Sequence, residues 1–242
     1  MPAAARIPAG QRIYAVGDVH GCDALLRDLF AAIAADAASA PEGTLCTIVM
    51  LGDYVDRGPA SAAVLDRLSA GPPPGLGMVC LRGNHDDVML RFLEDPEVGF
   101  DWLRFGGLAT LDSYGVRPTD ALPMHEKLAA ARRDLSARLP ARHRAFLRDL
   151  RLSLVVGDYL FVHAGIKPGV PLAEQKREHL LWIRDEFLGS RADHGKVVVH
   201  GHTVVREPEV RPNRIGIDTG AFATGRLTAL VLEADTRRFL TT

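Results

Sequence analysis

The chain has 242 residues, 47% hydrophobic and 24% charged, with a net charge of −1. That balance excludes a disordered or collagen-like chain, and near-neutrality excludes a general nucleic-acid binder that draws affinity from clustered cations. No apolar run reaches the ~18–20 residues of a membrane helix, and Cys22, Cys46 and Cys80, without CxxC spacing, read as reduced thiols of a cytoplasmic protein.

One theme recurs along the chain: a short apolar run, a glycine, then charged or imidazole side chains. Residues 13–16 lead into Gly17-Asp18-Val19-His20-Gly21, and residues 23–37 follow with Leu25, Leu26, Leu29, Phe30 and Ile33 at helical spacing. Residues 47–51 lead into Gly52-Asp53-Tyr54-Val55-Asp56-Arg57-Gly58, and a shorter helix is expected over 60–68. Residues 78–81 lead into Arg82-Gly83-Asn84-His85-Asp86, with a helix over 87–93. Strands alternating with helices predict a layered α/β domain. Residues 101–150 break the alternation with the loop Phe105-Gly106-Gly107 and helices over 122–139 and 141–150. They read as a helical insertion or cap on a single domain spanning residues 1–242. Strand patterns then predominate. Residues 160–162 lead into His163-Ala164-Gly165, residues 197–199 into His200-Gly201-His202-Thr203, and the last runs are 214–218, 227–233 and 236–240. These predict a second, partly antiparallel sheet, giving an α/β fold of two packed mixed sheets flanked by helices.

Each polar cluster falls just past the carboxyl end of a strand, where ligand sites gather in open α/β sheets. Asp18 and His20 are two residues apart, as are His200 and His202, and in an extended segment such pairs face the same way. Converging loops would assemble Asp18, His20, Asp53, Asn84, His163 and one or both of His200 and His202. Carboxylates, imidazoles and an amide oxygen suit divalent Mn, Fe or Zn, and the lack of thiolate argues against a structural zinc site. So many donors exceed one tetrahedral ion and suit two ions sharing a carboxylate. Two ions ~3.5–4 Å apart generate hydroxide and stabilise in-line displacement at phosphorus.

The five motifs, in this order across residues 17–203, resemble the signature of the calcineurin-like metallophosphoesterases. Within that superfamily they resemble the phosphoprotein phosphatase branch, with its bacterial and bacteriophage-lambda-type serine/threonine enzymes. The resemblance implies that Asp18 and His20 bind a first metal, Asp53 bridges both metals, and Asn84, His163 and His202 hold the second. It makes His85 the general acid, oriented by Asp56, and has Arg57 and the Arg184 of Leu181-Trp182-Ile183-Arg184 hold phosphate oxygens. The implied activity is phosphomonoester hydrolysis on phosphoserine or phosphothreonine, with phosphotyrosine as an extension, by attack of metal-bound hydroxide. Mn²⁺ is the expected ion, with Fe or Zn as alternatives, and the expected partner is a phosphoprotein or phosphopeptide, with no nucleic acid and no membrane. Two positions depart from the pattern. Asp86 stands where Glu is more usual, and Val204 where the wider superfamily often has a second His, an absence that favours the protein-phosphatase branch. The rival readings are a symmetrical bis(5'-nucleosyl)-tetraphosphatase, a small-molecule phosphatase and a non-catalytic metal-bound scaffold. Asp56 favours the phosphatase over the tetraphosphatase, and His85, Asp56 and Arg57 together oppose the scaffold.

Other side chains have plainer readings. His125, His143, His179 and His194 lie outside any motif and are expected at the surface or in the core. Trp102 and Trp182 are expected to pack, Cys22 to open a helix, and Asp218-Thr219-Gly220 to form a turn at least as readily as a site element.

Overall fold

In strand β1 (Gln11–Val16) alternate side chains enter different cores: Ile13 and Ala15 one, Tyr14 and Val16 another. A period of two with both faces apolar is what a central strand of a covered sheet requires. The computed structural model, describing residues 5–242, builds its first sheet around this strand. Strands β2 (Leu45–Met50) and β3 (Gly77–Cys80) extend it in parallel on one side, linked through helices α1 (Asp23–Ala38) and α2 (Ser61–Ser69). A second sheet comprises β4 (Ser153–Val156), β5 (Tyr159–Val162), β6 (Val197–His200), β7 (Glu209–Val210) and β8 (Arg214–Gly216). Its order is β4-β5-β6-β8-β7, with β5, β6 and β8 parallel and the two edge strands antiparallel.

Strands β9 (Thr228–Glu233) and β10 (Thr236–Thr241) correct the sequence-based expectation. They join the first sheet, not the second: β9 lies antiparallel to β1 and β10 antiparallel to β9, in the order β10-β9-β1-β2-β3. The reason is visible in their burial. Leu230 and Leu232 face the core between the sheets, and Ala229 and Val231 face the helix-covered core. A strand apolar on both faces needs an interior position, and the free side of β1 supplies it.

Ile13, Val49, Leu81, Phe161, Val199, Ile215 and Leu230 thus fill a core between the two sheets. Outside the second sheet, Leu160 and Val162 pack with Leu180 of α8 (Arg177–Trp182) and Phe187 of α9 (Asp185–Leu188). Outside the first sheet, α1, α2 and α3 (Asn84–Glu94) share a core with the segment that breaks the strand–helix rhythm. That segment is α4 (Gly99–Trp102), a π-helical turn over Leu103–Gly107, α5 (Leu108–Ser113), α6 (Met124–Arg138) and α7 (Ala141–Asp149). The expected Phe105-Gly106-Gly107 loop is therefore helical, kinked at Gly106. Helix α3 also starts three residues before its apolar pattern, because the Asp86 carboxylate accepts the Gly83 N–H at 2.9 Å and caps the first turn. Asn84 and His85 are consequently fixed on a helix start and not on a free loop.

Among the described residues no helix is long and apolar enough to cross a membrane. Cys22, Cys46 and Cys80 are free thiols. Phe161 is fully buried between the sheets, so Phe161→Ala is expected to cost about 3–5 kcal/mol, read from the urea midpoint at unchanged m-value.

Candidate metal centre

Buried polar side chains concentrate at one end of the two sheets, beyond the carboxyl ends of β1, β2, β3, β5 and β6. Asp18, His20, Asp53, Asp56, Asn84, His85, His163 and His202 are all buried there. Backbone hydrogen bonds lock the loops together: the N–H groups of Val19 and His20 both donate to the Asp53 carbonyl, at 3.1 and 2.8 Å. Asp86 ties the loop after β2 to the loop after β3, accepting from the N–H groups of Asp53 (2.8 Å), Tyr54 (2.9 Å) and Gly83. The shorter Asp86 therefore anchors both loops. Among the described residues six non-glycines have positive φ, and five of them, His20, Asp53, Asp56, Arg57 and His202, lie in this region. Such conformations cost about 1–3 kcal/mol each and persist where surrounding structure over-determines them.

The donor atoms converge in two groups that share Asp53: His20, Asp53 and His85 in one, and Asp53, His163 and His202 in the other, each within 4.8 Å. Hydrogen bonds set the tautomers. His20 Nδ1–H donates to the Val55 carbonyl at 2.8 Å, leaving Nε2 as a lone pair 3.5 Å from Asp53 Oδ2. His163 Nδ1–H donates to the Leu51 carbonyl at 3.0 Å, leaving Nε2 against Asn84 Oδ1 at 2.9 Å and Asp53 Oδ1 at 3.5 Å. His202 Nε2 and Asp18 Oδ1 are buried with no hydrogen-bond partner. At His163, Asn84 and Asp53 lone pairs thus face lone pairs in a buried site, an arrangement that costs several kcal/mol unless a cation lies between them. The residues fit divalent metal ions.

Electrostatics agree. Burial would raise Asp53, but the imidazoles of His163, His85, His20 and His202 hold it well below the usual carboxylate range. Burial pushes His20 down to about 3 and His202 to about 2, and lowers His163, which favours the neutral imidazole that ligates a metal. Asp18, pushed well above its ordinary value by burial and by Asp218 and Asp53, is the carboxylate a cation would relieve most.

His85 has different partners. Its Nδ1–H donates to Asp56 Oδ2 at 2.6 Å, and its Nε2 lies 3.1 Å from Arg57 Nη2. Although burial opposes it, Asp53 and Asp56 raise its pKa, favouring the protonated imidazole. Arg57 spans the mouth of the site, with Nη1 2.8 Å from His20 Nε2 and its guanidinium 4.9 Å from the ring centre of Phe222. Arg184 is exposed beyond α8, close enough for its charge to help lower His163 and His202.

The structure separates the paired histidines. Beyond β6 the backbone at His202 turns left-handed, φ 63°, so the extended alternation fails. His202 enters the site, while His200 packs with its ring centre 5.1 Å from that of Phe187, driven down to about 4 by burial. None of the four histidines outside the motifs joins the centre; buried His143 is held by Tyr114 at 2.8 Å and Asp66 at 2.7 Å. Trp102, expected to pack, and Asp218, read as a turn residue at least as readily as a site element, both reach the centre. Trp102 Nε1–H donates to Asp56 Oδ2 at 2.8 Å, and Asp218, buried beyond β8, stands beside Asp18 with Oδ2 unpartnered and is raised to about 6 by burial. The sequence signal for Asp218 was its place after a strand; Trp102 carried none.

The profile of the calcineurin-like phosphoesterases matches residues 11–227. The chain belongs to this family. As a calcineurin-like phosphoesterase it is a metal-dependent hydrolase of phosphoesters. It is 28% identical over 235 residues to the asymmetrical bis(5'-nucleosyl)-tetraphosphatase PrpE of Halalkalibacterium halodurans, covering 89% of this chain and 87% of that protein. It is 29% identical over 226 residues to serine/threonine-protein phosphatase 1 of Salmonella typhimurium, covering 90% of each. A solved structure provisionally described as a diadenosine tetraphosphatase shares the fold, with TM-score 0.64 and 23% identity over 99% of this chain and 98% of that one.

Gly83 has no room for a side chain, since a Cβ there would run into the Asp53 carboxylate and its backbone N. Gly83→Ala is expected to lower p-nitrophenyl phosphate hydrolysis by roughly 10²-fold through displacement of Asp53. Initial rates on the purified variant check this, and a parental rate would mean the position of Asp53 is uncritical.

Proposed function

We propose that this phosphoesterase is a dinuclear phosphomonoesterase acting on phosphoserine or phosphothreonine in proteins or peptides. The observation that carries this reading is the buried His85–Asp56 pair, Nδ1 to Oδ2 2.6 Å, beside the metal-ligand cluster. Breaking a P–O bond to serine expels a strongly basic alkoxide, which needs a proton donor; an anhydride or nitrophenyl ester expels a stable anion that needs little help. Asp18 and His20 would hold one ion, Asn84, His163 and His202 the other, and Asp53 both, with Mn²⁺ preferred by the oxygen and imidazole donors and Fe or Zn tolerated. The bound ions would supply Lewis acidity and a nucleophile from water at neutral pH. Arg57 and Arg184 bind the non-bridging phosphate oxygens. Asp56 accepts from His85 Nδ1–H and stabilises the imidazolium, whose Nε2–H is the proton available to the leaving oxygen once substrate has drawn Arg57 onto phosphate.

Every strand from β1 to β6 that ends at the centre contributes to one site. That supports reading residues 1–242 as one catalytic domain with the helices after α3 inserted into it. Three free thiols support a cytoplasmic setting.

A second reading, hydrolysis of a dinucleoside tetraphosphate, is favoured by the PrpE relatives. It is also favoured by two exposed aromatic rings flanking the centre. Phe222, 40% exposed, lies 5.5 Å from the His20 ring, and Trp182, 47% exposed, lies 6.4 Å from the His202 ring. Such rings could stack on nucleobases.

Parallel assays with Mn²⁺ on a phosphoserine peptide and on diadenosine tetraphosphate decide between the two. The expected result is faster peptide turnover, with His85→Asn lowering peptide kcat by roughly 10²–10⁴-fold and hydrolysis of the anhydride far less. Preference for the dinucleotide would replace the first reading with the second. For the metals, Asp53→Asn is expected to abolish activity and lose at least one ion per chain by elemental analysis while remaining folded. His202→Ala should lose metal, and His200→Ala should retain it. Equal metal loss in both histidine variants would contradict the ligand assignment.

A further inference from the structure

Asp56 is fully buried, and every hydrogen-bonding atom of its carboxylate is engaged. Oδ2 accepts from His85 Nδ1–H and Trp102 Nε1–H; Oδ1 accepts from the Thr110 hydroxyl at 2.6 Å. The Asp56 backbone N–H donates to Thr110 Oγ1 at 2.8 Å and to Ser61 Oγ at 3.1 Å. Trp102 and Thr110 both belong to residues 99–113, far along the chain from Asp56. The same segment also grips the backbone. Asp56 and Arg57 sit in succession at φ 75° and 68°, and the Arg57 N–H donates to the Gly106 carbonyl at 3.2 Å. Gly106, at φ 119°, permits that approach, since a Cβ there would come within 2.7 Å of the Arg57 nitrogen.

A carboxylate that orients an imidazole must itself be kept from rotating. His85 alone cannot do this, because one hydrogen bond leaves the carboxylate free to turn about its own Cβ–Cγ axis. Donors on both oxygens, Trp102 from one short helix and Thr110 from the next, remove that freedom. We propose that Trp102 and Thr110 are positioning residues for proton donation. They fix the Asp56 carboxylate and so aim His85 Nε2 at the leaving oxygen, which gives the helical segment 99–113 a part in the chemistry. This rests on the reading of His85 as the acid. The competing account, in which Trp102 only packs against Phe92 with ring centres 4.7 Å apart, leaves the two hydrogen bonds to Asp56 without consequence.

The two accounts differ in leaving-group dependence. Phenyl phosphate and p-nitrophenyl phosphate present the same phosphoryl group and rings of similar size but leaving oxygens of very different basicity. Thr110→Val removes the hydroxyl at nearly constant shape, Thr110→Ser keeps it, and Trp102→Phe removes the N–H while retaining an aromatic ring. kcat is measured on both esters with Mn²⁺, with metal content and melting temperature recorded for each variant. Thr110→Val and Trp102→Phe are expected to lower kcat on phenyl phosphate about tenfold more than on p-nitrophenyl phosphate, a share of the 10²–10⁴-fold that a general acid supplies. Thr110→Ser is expected to restore the parental ratio. Should Trp102→Phe not fold, the two Thr110 variants decide alone. Proportionate losses on both esters, or no loss on either, in Thr110→Val overturn the proposal. His85→Asn is run alongside. If it leaves the ratio unchanged, the acid reading fails and the positioning role with it; if it shifts the ratio and Thr110→Val does not, only the positioning role fails.

Discussion

The structure depends on one electrostatic constraint: acceptor atoms of buried side chains from five loops are packed around the Asp53 carboxylate. The imidazole Nε2 atoms of His20 and His163 each lie 3.5 Å from an Asp53 oxygen, and His163 Nε2 also lies 2.9 Å from the Asn84 carbonyl oxygen, with no proton between His163 and either acceptor. Cations resolve this. The backbone then has to bring loops from both sheets to a common point, which explains why positive φ values concentrate there and why Asp86 spends its carboxylate on three backbone N–H groups. Fold stability and metal binding are thereby linked, because ions that bind only the folded state stabilise it by mass action.

His85 lies within this cluster by distance, yet its hydrogen bonds go elsewhere. Its Nδ1 is committed to Asp56, and its Nε2 faces Arg57 at the mouth. A histidine one residue from Asn84 can therefore have another task, because at the start of α3 Asn84 reaches His163 while His85 reaches Asp56. Family membership places the chemistry at phosphorus. The acid pair and the flanking aromatic rings are the features that bear on which phosphorus.

Much of this was legible in the sequence. Strand, glycine and polar cluster recur because strands buried on both faces must end before charged groups begin, and the site residues lie where those endings predict. What stayed hidden has physical causes. The two-residue spacing of His200 and His202 carries information only while the backbone stays extended, and the left-handed turn at His202 ends that. The apolar pattern of α3 starts late because its first turn is occupied by Asn84, His85 and Asp86. Trp102 and Thr110 act through contacts 46 and 54 residues away in the chain, a separation that no local pattern encodes. The sequence pattern identified β9 and β10 as strands but could not say which sheet has a vacant side.

That vacant side governs the order in which the molecule can be completed. Arg12 pairs with Leu45-to-Met50 neighbours early, through Cys46, but its other edge waits for Glu233. A chain emerging from the ribosome therefore carries its central strand with one edge unpaired until every strand of the second sheet has been made. Contacts this distant in sequence form slowly, and open apolar strand edges attract other chains. The nascent protein is most exposed to aggregation in the interval before β9 covers the open edge of β1, and β10 then adds the outermost strand.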